Sequence, residues 1–107
     1  MDLRVAGFEW DKGNRDKCQK HGVPLATIEA LLRGPLAVVP DPAHSAAEER
    51  FKAIGRTDDG RGVLMVFTLR RRADETYIRP VGARYMHRKE VEYYEKAIAE
   101  AEERQRC

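Results

Sequence analysis

Long apolar runs are absent from this chain of 107 residues. Nothing approaches the roughly eighteen consecutive apolar residues that a membrane-crossing helix needs. Met1-Asp2-Leu3-Arg4 does not begin as a secretory leader, so a cytoplasmic protein with no membrane contact is expected. Cysteine is nearly missing: Cys18 and Cys107 are too few for a disulfide framework. A Cys-x-x-Cys pair is missing as well. Cys18 and His21 have a spacing that can share a metal on a helix, and His44 and His87 are the remaining imidazoles. Without a second close pair the expectation is no metal and no cofactor, with Cys18 a small buried residue of a helix. Internal repeats, low-complexity tracts and linker-like stretches are also lacking, so a single domain over residues 1–107 is expected.

A large net charge is missing too, since the formal value is +2, but 36% of the residues are charged and 42% hydrophobic. That balance describes a globular chain with a densely charged surface. The charges are sorted along the chain. Acidic residues crowd the C-terminal stretch, whereas Arg56, Arg61, Arg70, Arg71, Arg72, Arg79, Arg84, Arg88 and Lys89 fill the segment before it. Such a zone can attract phosphate even in a nearly neutral chain; an ordinary solvated surface explains the same composition.

In order, Arg4–Trp10 reads as a short strand, and Asp11 or Asn14 can cap a helix running to about Lys20 and ended by Gly22. A second helix begins at Pro24, presents Leu25, Ile28, Leu31 and Leu32 on one face, and stops at Gly34-Pro35. Leu36–Val39 is a second strand. A polar loop from Asp41 leads into a charged strand, Arg50–Thr57, whose Arg50, Lys52 and Arg56 project to one side by the two-residue period. Asp58-Asp59-Gly60-Arg61-Gly62 supplies a hairpin turn, and Val63–Leu69 is apolar enough for a central strand covered on both faces. Arg70–Glu75 reads as a solvated turn, Thr76–Val81 as a strand with an edge or bulge at Pro80, and His87–Arg104 as the last helix. The class is α+β: a mostly antiparallel sheet with two N-terminal helices and one C-terminal helix.

The ordered series Phe8-Glu9-Trp10-Asp11, Lys20-His21-Gly22-Val23, Asp41-Pro42-Ala43-His44-Ser45, Glu48-Glu49-Arg50-Phe51, Ile54-Gly55-Arg56, Ile78-Arg79 and Ala83-Arg84 with Glu90 and Tyr94 resembles the BrnT-type toxins. The resemblance implies a small twisted-sheet domain of the RelE-like kind and a ribonuclease that arrests translation without a metal. It also implies a BrnA-type antitoxin, a DNA-binding partner whose complex with the toxin represses its own operon. Two positions depart from the pattern. Gly82 stands where the family commonly has a serine, and Pro24 where a capping serine is common.

RNA cleavage without a metal uses the neighbouring 2′-hydroxyl as nucleophile. A base takes its proton, cations hold the phosphorane, and an acid protonates the leaving 5′-oxygen. Read through the resemblance, His44 or Glu48 is the proton-transfer group, and Arg50, Arg79 and Arg84 stabilise the phosphate. Lys20, His21, Lys52, Arg56, Tyr85, Arg88 and Lys89 are candidate RNA contacts. Duller roles compete with each. His44 can bond within its own turn, Glu48 can neutralise Arg50, and Arg84 can pair with Glu90. Lys20 and His21 can serve a helix end, and Tyr85 can pack under the last helix. A non-catalytic module that binds nucleic acid, or that serves its antitoxin as co-repressor, is the alternative function.

Overall fold

The computed structural model describes residues 5–34, 36–41 and 48–106. Its elements run β1 (Gly7–Phe8), α1 (Lys12–Gln19), α2 (Leu25–Arg33), β2 (Ala37–Pro40), β3 (Arg50–Arg56), β4 (Gly62–Arg72), β5 (Glu75–Tyr85) and α3 (Arg88–Arg106). The five strands form one sheet in the order β1-β5-β4-β3-β2. All neighbours are antiparallel except β1, which lies parallel to β5 over Gly7↔Tyr77 and Phe8↔Ile78. This is the α+β arrangement expected from the sequence.

Asp11 starts α1 through a reciprocal cap. Its carboxylate accepts from the Asn14 amide nitrogen at 3.0 Å, and the Asn14 side chain accepts from the Asp11 N–H at 2.7 Å. The side-chain NH2 of the buried Asn14 then donates to the carbonyls of Glu9 and Pro80, each at 2.9 Å. Gly22, at φ +83°, closes the helix end in a conformation that suits glycine. Pro24 precedes α2 without a side-chain cap. Cys18, Val23, Ile28 and Leu32 from this helical layer pack on Ala53, Val63, Met65, Phe67, Ile78 and Ala83, which make one face of the sheet.

Two expectations are corrected by the strands themselves. Arg70–Arg72 is not a turn: β4 continues through Arg72, and the connection is Ala73-Asp74, at φ 50° and 71°. A two-residue hairpin of this hand requires positive φ at both positions, and the arginines remain in the ladder because their long stems carry the charge out to solvent. β5 likewise does not end at Val81. Val66 pairs with Gly82 and Phe67 with Pro80, so Val81 is an extra residue bulged out of the ladder. Pro80 costs no ladder bond, because its carbonyl and missing N–H face the side that β1 has already left and Asn14 occupies.

The opposite face carries the cations. Directly paired positions place Arg50, Lys52, Ile54 and Arg56 of β3 beside Gly62, Leu64, Val66 and Thr68 of β4. The same face continues through Arg70 and Arg72 to Tyr77, Arg79, Gly82 and Arg84 of β5. Helix α3 covers one end of it. Val91, 3% exposed, sits so close to Gly62 that a β-carbon there would fall 2.3 Å from Val91 Cγ2. Farther along, Glu95, Ile98 and Ala99 overhang Ala37, Ile54, Gly55 and Arg56 across a cavity of about 430 Å³.

Candidate functional site

Beyond the end that α3 covers, the cationic face is organised by the bulge at Val81. Arg79 and Arg84 are an odd number of residues apart and would face opposite ways on a regular strand. The extra residue returns both to one face, where Arg79 pairs with Thr68 and Arg84 with Leu64. Arg50 reaches the same place from β3, also opposite Thr68, with Lys52 one pair farther along. Of the residues expected to hold phosphate, Arg50, Arg79 and Arg84 are therefore on one surface. His44 lies outside the described residues.

Arg70, Arg72, Arg79 and Arg84 are each held by a carboxylate. Arg79 reaches Asp11 at 2.8 Å and Glu9 at 3.5 Å, and Arg72 reaches Glu9 at 3.1 Å. Arg84 grips Glu90 of α3 with two nitrogens, at 2.8 and 2.7 Å. Glu48 pairs with Arg70, with 2.8 Å between Oε2 and Nε. The forked geometry of these contacts is the one a phosphate also satisfies. Titration follows the pairing. The Asn14 amide, and after it Arg79, hold Asp11 below the ordinary aspartate value. The hydrogen bonds with Arg84 hold Glu90 below the glutamate range, and the same bonds raise the guanidinium further.

Other expected contacts lie elsewhere. Lys20 and His21 are exposed in the turn after α1, in the layer that covers the opposite face. Tyr85 points to that opposite face too: it packs against the core and carries the Arg61 guanidinium 3.6 Å from its ring centre. Arg56 pairs with Glu95 at 2.8 Å, Arg88 with Glu92 at 3.3 Å, and both line a cleft of about 490 Å³ at the start of α3. Lys89 is exposed on the first turn of that helix. Among the described residues no group of three or more His, Cys, Asp or Glu side chains is arranged to hold a metal. No described helix is long and apolar enough to cross a membrane.

Sequence alone did not point to Glu9, Asp11 or Thr68 as parts of this surface, and it placed Arg70 and Arg72 of the basic zone in a solvated turn rather than on a strand. Thr68 had a readable signal, a hydroxyl inside an apolar strand. The carboxylates had none, because their partners are up to 70 residues distant.

The face thus gathers guanidinium groups from β3, β4 and β5, with those of Arg70, Arg72, Arg79 and Arg84 in carboxylate pairs. No curated protein matches the chain. A family model does: BrnT, the ribonuclease toxin of type II toxin–antitoxin systems, over residues 10–90, which takes in every element from α1 to β5. The chain belongs to this family of ribonuclease toxins.

Proposed function

We propose that the cationic face is where RNA is bound and cut, without a metal, by attack of the neighbouring 2′-hydroxyl. The observation that carries this reading is the convergence of Arg50, Arg79 and Arg84 on one surface through the register of β3 and β4 and the Val81 bulge. In the resting protein the guanidinium groups of Arg79 and Arg84 are held by Glu9, Asp11 and Glu90. RNA replaces those carboxylates with phosphate oxygens, and the cations then stabilise the charge that builds on the phosphorane. Glu48, beside Arg70, and His44 are the proton-transfer candidates. Lys52 extends the same face for the flanking backbone.

Membership of a type II family implies an antitoxin. We assign it to the BrnA type, a DNA-binding protein that covers the cationic face and represses the shared operon as a complex. The toxin acts in the cytoplasm, on the RNA that translation uses, as one domain.

The test is RNA cleavage by the purified protein in excess chelator. Cleavage persists, and Arg50→Ala, Arg79→Ala and Arg84→Ala each lower it by about a hundredfold or more, the scale for loss of one oxyanion donor. The variants keep a cooperative thermal transition. Abolition of cleavage by chelator refutes the metal-independent mechanism, and a variant that unfolds has a structural arginine at that position.

A further inference from the structure

Two buried polar atoms on the cationic face make no hydrogen bond among the described residues, Arg70 Nε and Thr68 Oγ1; the first has the Glu48 carboxylate beside it, and the second has no such neighbour. Thr68 lies in the middle of β4, 1% exposed. Buried hydroxyls are nearly always bonded, and one left unbonded destabilises the fold. Valine has the same shape, is equally at home in a strand and leaves no hydroxyl unbonded, so folding alone favours valine at this position.

The neighbours say what the hydroxyl is for. Thr68 is paired directly with Arg50 on one side and with Arg79 on the other. Directly opposed side chains on one sheet face stand about 5 Å apart at their β-carbons. A tetrahedral anion held between those two guanidinium groups therefore has an oxygen turned toward the strand between them. Beside this row, Gly82 has no atom within 4 Å of where a β-carbon would stand, so the sheet is bare there. Arg79 is engaged by Glu9 and Asp11, which leaves its cationic head in place but exchangeable.

We infer that Thr68 is a phosphate-binding residue, its Oγ1 donating to a non-bridging oxygen of the RNA phosphodiester that Arg50 and Arg79 hold. The inference rests on the reading that this face binds the RNA backbone. As the Arg79 guanidinium exchanges its carboxylates for phosphate oxygens, the anion comes down onto the strand and the buried hydroxyl acquires its acceptor. No bond is made or broken in this step.

Thr68→Val and Thr68→Ser separate this role from a packing role. Thermal unfolding is measured for wild type and both variants in sodium phosphate and in sodium chloride of equal ionic strength, alongside RNA cleavage. Thr68→Val should have the higher midpoint in chloride, lose most of the phosphate-dependent rise, and cleave RNA about tenfold or more slowly. Thr68→Ser should keep both the phosphate response and the cleavage. A Thr68→Val protein that is less stable and less active together makes the residue structural and overturns the inference, as does an unchanged phosphate response. If wild type responds to phosphate but cuts no RNA, the cleavage reading fails while the Thr68 assignment still stands or falls on the phosphate arm.

Discussion

Replacing Gly62 with alanine should lever α3 off the sheet. The added methyl would lie 2.3 Å from Val91 Cγ2, whereas carbon atoms rest at about 3.5–4.0 Å, so the contact must open by more than about 1 Å. Neither side gives easily. Gly62 pairs with Arg56 in the ladder, and its carbonyl accepts from the Met86 N–H at 2.9 Å. Val91 is a buried β-branched residue on a helix, where one χ1 rotamer dominates. Overpacking of this kind costs about 1–3 kcal/mol. At about 4 °C per kcal/mol for a chain of this size, the unfolding midpoint should fall by about 4–12 °C. Val91→Ala alone should cost on the order of 1–3 kcal/mol through lost burial. In the double variant the new methyl occupies the space the valine left, so the two losses should fail to add by at least about 1 kcal/mol. Urea unfolding followed through Trp10, the lone tryptophan, gives all four free energies. A Gly62→Ala protein as stable as wild type, or strictly additive losses, would refute the packing described for α3.

Acid should loosen the ion pairs that Arg79 and Arg84 make with Asp11 and Glu90. Glu90 and Asp11 titrate below their ordinary values of 4.5 and 3.8. Depressed carboxylates give stability that is complete above those values and lost as pH falls through the lowered ones, so the midpoint should hold down to about pH 5 and drop below about 4. Glu90→Gln should flatten that drop, and an unchanged slope would exclude Glu90 as a cause. Cys18 is fully buried, and burial pushes its thiol to about 11; in a Cys107→Ser background a thiol reagent at pH 8 should label it only after denaturant is added. Rapid labelling of the native protein would contradict the packing of α1. Gly82→Ser meets no atom within 4 Å and needs no unusual backbone angle, so its midpoint should stay within about 2 °C of wild type, as for surface changes. A larger fall in a thermal scan would mean the face above Gly82 is filled.

Local chemistry made part of this molecule legible. Asp59-Gly60 announces its turn because glycine tolerates the φ of +84° that the connection uses. Val63, Met65 and Phe67 announce a buried strand, and the two-residue period correctly puts Arg50, Lys52 and Arg56 on one side. Arg70–Arg72 misled because three consecutive cations resemble a solvated turn, although every second one lies on the cationic face and can reach a carboxylate across strands. The Val81 bulge has no marker beyond Pro80, yet it decides whether Arg79 and Arg84 can act together. The parallel pairing of β1 with β5 joins segments 70 residues apart, and no window of sequence contains both. Those are relations between distant residues, which periodicity does not record.

The Asn14 side chain has a consequence for how the protein comes into being. Its NH2 group bonds one carbonyl five residues away and another 66 residues away. During synthesis from the N-terminus, the capped helix α1 emerges long before the strand that completes it. Until Pro80 has left the ribosome, that amide has no second acceptor, Phe8 has no Ile78 to pair with, and Glu9 and Asp11 have no Arg79 to hold. Arg84 follows four residues after Pro80. The surface proposed to cut RNA thus joins Glu9 and Asp11 to strand residues made much later, and it cannot be complete before Arg84 has been synthesised.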